Sequence, residues 1–192
     1  MKSKLLTLVS VAALSSTLTL GAAHAADFNY NYVEGSLQDI DINGTDSEAA
    51  TLSGSFDVAP NINIVAGYSA EQISTPAGFS DIDVDTFKLG LGYHAPVGDN
   101  TDLTASVTAI SKDMDVVGDD TGYGVGVGLR HQINDAIELG ARVEYVDIYD
   151  ADDTTLEINS RFRVADGVSL GLAYSTSAEE VDTLSAGVRF DF

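Results

Sequence analysis

Residues Thr121 to Asp135 read TGYGVGVGLRHQIND, with Gly122, Gly124, Gly126 and Gly128 at every second position and Arg130 next on the same parity. A period of two belongs to a β-strand, whose alternate side chains leave opposite faces. One face here carries Tyr123, Val125, Val127 and Leu129, while the other carries only glycine until Arg130. A dinucleotide-binding loop is excluded by context, because that glycine motif must open a helix and no helical pattern follows. The glycines instead predict a strand that makes room for long side chains from a neighbour.

The same alternation recurs. Ala50 to Val58, Ile62 to Tyr68, Phe87 to Tyr93, Leu103 to Ala109, Ile137 to Tyr145, Leu156 to Val164, Val168 to Tyr174 and Leu184 to Phe192 each set small or apolar residues two apart. A first segment from Phe28 to about Asp39 brings the expected count to ten strands, with eight as the alternative. That segment changes phase, since Tyr30 and Tyr32 sit on one parity and Val33, Gly35 and Leu37 on the other, which predicts a bulge. Tight turns at Ala59 to Asn61, Ala95 to Asn100, Ile133 to Asp135 and Ala165 to Gly167 alternate with longer, aspartate-rich connections. This rhythm predicts an all-β, antiparallel up-and-down transmembrane barrel with its short turns in the periplasm and acidic loops outside.

The two faces separate a membrane barrel from a soluble sandwich. Lys88, Lys112, Arg130, Arg142, Arg161, Arg163 and Arg189 all fall on the parity opposite the apolar one, as do Glu138, Glu144, Glu157 and Asp191. The apolar parity ends in aromatic residues at both rims: Tyr68, Phe87, Tyr123, Tyr145 and Tyr174 toward the longer connections, Phe56, Tyr93, Phe162, Phe190 and Phe192 toward the short turns. Paired aromatic girdles mark the two interfaces of a bilayer. At ~3.4 Å per residue, a strand such as Ile137 to Tyr145 covers about 20–25 Å when tilted, enough for an outer-membrane apolar band.

A lumen charge network is therefore expected from Lys88, Arg130, Glu138, Arg142, Glu144, Glu157, Arg161, Arg163 and Arg189. A three-residue loop at Ile133 to Asp135 would place Leu129 opposite Leu139, Arg130 opposite Glu138, Gly126 opposite Arg142 and Gly124 opposite Glu144. The loop at Ala165 to Gly167 would set Arg161 opposite Gly171. On attraction alone, Arg142 would sit beside Glu157 and Glu138 near Arg161.

The N-terminus predicts export. Lys2 and Lys4 precede an uncharged stretch from Leu5 to Leu20 and then Ala23-His24-Ala25, so residues 1–25 read as a cleaved signal peptide and 26–192 as the barrel domain. The chain has a formal net charge of -21 at pH 7, which argues against nucleic acid as a partner, since phosphate neutralisation needs clustered Lys and Arg. It has no cysteine, so neither disulfides nor a thiolate metal site is available.

The C-terminal segment Ser185-Ala186-Gly187-Val188-Arg189-Phe190-Asp191-Phe192 resembles the terminal-strand signal of Gram-negative outer-membrane proteins. Segments such as YNYVEGSL, GLGYHAPVGDNTDL, GYGVGVGLR and SAGVRFDF are similar to a family of small proteobacterial outer-membrane barrels, some of whose members are labelled a sulfation-dependent quorum factor. The resemblance implies an outer-membrane location, with lipid and lipopolysaccharide as surroundings. It also implies recognition by the barrel-assembly machinery, with Gly187, Phe190 and Phe192 as the signal.

Catalysis is not expected. Barrel enzymes place histidine with carboxylates or serine near the outer rim or lipid-facing edge, whereas His24 lies in the signal segment and His94 and His131 lie beside short turns. A pairing of His94 with Asp102 across its turn reads as structural, and no zinc-type histidine spacing occurs. Asp113-x-Asp115-x-x-Gly118 begins like a calcium loop but fails at Val117 and Gly124, leaving no metal site and at most weak divalent cations at the loops. The expected function is a non-enzymatic envelope component with a charged, largely plugged lumen and no cofactor. A narrow passive pore for water or small ions and a surface recognition protein are the alternatives.

Overall fold

A computed structural model describes residues 28–42, 44–75 and 81–192; the expected signal segment and His24 lie outside them. The strands are β1 (Tyr32–Ile42), β2 (Thr45–Ala59), β3 (Ile62–Ile73), β4 (Ile82–Gly98), β5 (Thr101–Met114), β6 (Gly118–Asn134), β7 (Ile137–Ile148), β8 (Ala151–Ala165), β9 (Val168–Ser177) and β10 (Val181–Asp191). Each pairs antiparallel with its chain neighbours, and β1 pairs with β10, so the ten strands close into a barrel. Closure satisfies the strand backbones within the sheet and leaves no edge, the condition for crossing hydrocarbon with strands.

The molecule is apolar outside and polar inside. Leu37, Leu52, Leu91, Val127, Ile158, Leu172 and Leu184 are all exposed on the outer surface. A continuous belt of this kind is incompatible with a water-facing surface and fits lipid. The buried residues include Ser47, Ser55, Asn63, Asp102, Thr108, Ser169 and Arg189. Both aromatic girdles are present: Tyr68 lies opposite Phe87 on β4, and Tyr123 packs 6.3 Å from Tyr145. At the other rim Phe56, Tyr93, Phe162, Phe190 and Phe192 all face outward.

The short turns are tighter than the sequence suggests. Each hairpin turns on two residues outside its strands, Pro60-Asn61, Asp99-Asn100, Asp135-Ala136 and Asp166-Gly167. Each is preceded by a one-residue register shift, at Val58, Val97, Ile133 and Val164. The bulged residue is β-branched and exposed at all four positions. At β6–β7 this moves the register by two from the expected one. Arg130 lies opposite Gly140, Leu129 opposite Ala141, Gly128 opposite Arg142, Gly126 opposite Glu144 and Gln132 opposite Glu138. A shift of two keeps every side chain on its expected face while changing every partner. The β8–β9 hairpin has the expected register, Arg161 opposite Gly171, and β7–β8 sets Glu138 opposite Arg161 and Arg142 opposite Glu157.

Two further expectations are corrected. The first strand carries no bulge: it pairs without interruption from Tyr32 to Ile42 with both neighbours. Tyr32 follows the parity of Glu34, Ser36 and Gln38 and faces the lumen, as does Tyr30 before the strand, so the parity of the tyrosines is that of the polar residues. At the other rim, several acids expected in loops lie on strands that run past the upper girdle. Asp113 on β5 pairs with Asp85 and Asp119, and Asp147 on β7 pairs with Asp152. Alternation continues there because the charged side chains lie beyond the apolar band.

Candidate functional site

The interior is built in three tiers from the short-turn rim upward. In the lowest tier, residues 28–31 precede β1 and occupy the mouth. Tyr30, only 6% exposed, stacks on His94 from β4 with ring centroids 3.7 Å apart, and its hydroxyl donates to Asp102 Oδ2 from β5 at 2.9 Å. Burial pushes its phenol above the ordinary value, against the opposing pull of Arg130 and with the Asp102 carboxylate adding to the rise. Asn31 Nδ2 donates to Asp57 Oδ2 at 3.2 Å, and Asp57 N donates back to Asn31 Oδ1 at 2.8 Å. His94 lies between two carboxylates, Nε2 3.4 Å from Asp57 and Nδ1 4.0 Å from Asp102. In register His94 faces Thr104 and Asp102 faces Pro96, so this approach is diagonal rather than directly across the turn.

The middle tier is the Arg/Glu network. Arg130 donates from Nε and Nη2 to the two oxygens of Glu138 at 2.8 and 2.9 Å, and from Nη1 to the Asn29 carbonyl at 3.2 Å. Its guanidinium also lies 4.8 Å from the Phe28 ring centroid and 4.6 Å from that of Tyr30. Arg189 bonds Glu34 Oε2 at 2.7 and 2.8 Å and covers the Tyr32 ring at 3.6 Å. Arg161 reaches the same Glu34 oxygen at 3.2 Å, although Glu138 is its neighbour in register. Fork-shaped guanidinium contacts of this kind fix orientation as well as charge.

Above them lies a chamber of about 660 Å³. Hydroxyls and amides from β1 to β4, among them Ser36, Gln38, Thr51, Ser53 and Ser69, line one wall, and Arg142, Glu144, Glu157 and Asn159 line the other. Lys88 reaches Glu144 at 3.7 Å across the chamber; Arg142 bonds Ser106 at 2.8 Å and Glu144 at 3.4 Å. A Cβ on Gly126 would lie 2.9 Å from Arg142 Nε, so this glycine does clear space for that arginine, although it pairs in register with Glu144. Lys112 also lines the chamber, and Arg163 stands at the mouth. His94 does not line the chamber.

The sequence reading missed Glu34, Tyr30, Tyr32 and Asp57 as interior residues. Glu34 shares the parity of Ser36 and Gln38, a signal that was available. Tyr30 meets His94 and Asp102 across the lumen, which no local pattern records, while Asp57 bonds Asn31 beside the β1–β2 ladder. Of the terminal motif, Phe190 and Phe192 face outward, while Gly187 sits on the β1–β10 seam, where a Cβ would lie 2.9 Å from the Gly35 carbonyl oxygen.

Residues 10–175 match the family described as Outer membrane protein beta-barrel domain. No curated protein matches the chain. Among solved structures, the fold is similar to that of the KdgM porin in complex with disordered oligogalacturonate, at 12% sequence identity and a TM-score of 0.52, over 84% of this chain and 99% of that one. It is also similar to the beta domain of the Bordetella autotransporter Brka, at 11% identity and a TM-score of 0.54, over 86% of this chain and 100% of that one.

Proposed function

Because this chain belongs to the outer membrane protein beta-barrel domain family, we propose that it serves as a non-enzymatic component of the envelope, closed toward the periplasm and acidic toward the outside. The observation that carries this reading is the clasp on residues 28–31: stacking on His94, hydrogen bonds to Asp57 and Asp102, and the guanidinium of Arg130 all converge on one short segment. Ten strands give a bore only slightly wider than the eight-stranded kind that side chains can fill. A segment lodged in it, with Arg130, Arg161 and Arg189 packed above, obstructs solute flow. On this reading the chain is exported by a cleaved signal peptide, assembled by the barrel machinery, and surrounded by lipid and lipopolysaccharide, with divalent cations weakly held at its acidic rim.

The chamber supports a second reading, a narrow pore that opens when the N-terminal segment leaves the mouth. Single-channel recording in planar bilayers separates the two. The closed reading expects no large, stable conductance, and any small current should favour cations drawn by the acidic outer rim. A steady porin-like conductance, or passage of sugars into liposomes, would overturn it.

A further inference from the structure

At the short-turn rim, beside the N-terminal segment, a second and smaller cavity of about 40 Å³ opens among β6 to β10. Four arginines line it, Arg130, Arg161, Arg163 and Arg189. Register explains why they meet: Arg163 on β8, Ser169 on β9 and Arg189 on β10 occupy one row across three strands, all facing inward, and Arg161 is two residues above Arg163. The row puts a hydroxyl between two guanidinium groups.

The carboxylates nearby do not use up these donors. Arg130 takes both oxygens of Glu138, and Glu34 takes Arg189 and one nitrogen of Arg161. That leaves Arg161 Nε and Nη1 buried without a hydrogen-bond partner. Ser169 is 3% exposed, and its Oγ has no partner either. The guanidinium of Arg163 makes no ion pair among the described residues. Asp135 and Asp191 are the remaining carboxylates on the wall, and neither makes an ion pair among the described residues. A buried donor with no acceptor costs stability unless something accepts from it, and guanidinium and hydroxyl donors that line one small space share one complement: an anion. A single water centre needs about 10–15 Å³, so the space holds a few water-sized groups, the size of one inorganic oxyanion or a carboxylate.

We propose that this cavity is a binding site for a small oxyanion, phosphate or carboxylate in class, held between Arg163 and Arg189 with Ser169 and Arg161 donating from its floor. The ligand enters from the short-turn side, where Arg163 is exposed. Anion capture here is independent of conduction. The cavity shares Phe28, Asn29 and Arg130 with the closure described above, but binding is read without ion flow, so either proposal can fail alone.

The test uses the protein purified from outer membranes in detergent, with thermal unfolding followed in sodium phosphate, sodium acetate and sodium chloride at matched ionic strength. Phosphate or acetate is expected to raise the unfolding temperature above chloride, and whichever does so more identifies the ligand class. Arg163→Gln removes a rim group with no ion pair, so the barrel should fold while the apparent affinity falls about fivefold or more, as loss of one charge-assisted contact implies. Ser169→Asp supplies the anion covalently. It should be more stable than the wild type in chloride and indifferent to phosphate and acetate. Equal unfolding temperatures in all three salts, or an anion response that survives undiminished in both Arg163→Gln and Ser169→Asp, would overturn the site.

Discussion

Arg130 and Glu138 are not opposite one another across the β6–β7 ladder, yet they form a two-point hydrogen-bonded ion pair at 2.8 and 2.9 Å. The bulge at Ile133 displaces the register, and both side chains lean along the strands to recover the contact. Gly140, directly opposite Arg130, leaves space that the Asn159 amide fills, a Cβ there lying 2.5 Å from Asn159 Oδ1. Both partners are mostly enclosed, at 15% and 17% side-chain exposure, so removing one strands the other in a poorly solvated lumen. Arg130→Ala and Glu138→Ala should each destabilise by about 1–3 kcal/mol in denaturant unfolding, with a coupling of ~1 kcal/mol or more in the double mutant. Strict additivity would count against the pair.

Tyr30 tests the closure of the mouth. Tyr30→Phe keeps the stack on His94 and loses only the bond to Asp102, at a cost of about 1–2 kcal/mol. Tyr30→Ala removes the stack as well and should release the segment. Bilayer recordings are expected to show new small-ion conductance for Tyr30→Ala and little for Tyr30→Phe.

Gly126 tests the fit of the lumen. An added methyl there meets the Arg142 guanidinium, which is held by Ser106 and Glu144. Gly126→Ala should therefore destabilise by about 1–2 kcal/mol, within the range for overpacking. In an Arg142→Ala background the same substitution should cost much less, and equal costs in the two backgrounds would show that the arginine is not the obstacle.

Phe192 tests assembly. Its ring is exposed to the lipid-facing side, while its backbone N–H donates to the Asn31 carbonyl at 3.0 Å, so it ends the barrel and braces the N-terminal segment. Deleting it should sharply lower the folded barrel recovered from outer membranes, read as heat-modifiable migration on a gel. Normal recovery would remove Phe192 from the assembly signal.

The barrel was legible because alternation is a local property: TGYGVGVGLR shows its two faces without reference to any other strand. Face assignment is also robust, since a two-residue slip in register leaves Arg130, Arg142 and Glu144 inside. Partners are another matter. The pairing of Arg130 with Glu138 survives only because long side chains compensate for a bulge that no composition signal marks, beyond a β-branched residue two positions before the turn. Glu34 could have been assigned from its parity with Ser36. The meeting of Tyr30 with His94 could not, because it joins residues across the lumen rather than across a hairpin.

The β1–β10 seam sets the timetable of folding. Every other ladder joins neighbours in sequence and closes a short loop, but Tyr32 opposite Asp191 spans nearly the whole chain. Closing a loop of that length costs roughly 4–5 kcal/mol of chain entropy beyond a constant, so the seam forms last and is the natural rate-limiting event. Until then β1, the first strand to be synthesised, waits with one edge unpaired, the situation that invites aggregation. Its outward residues are Val33, Gly35, Leu37, Asp39 and Asp41, two large apolar side chains against two charges. The strand that waits longest thus carries its own protection against pairing with the wrong chain, and the bond from Phe192 N–H to the Asn31 carbonyl forms only once its partner has arrived.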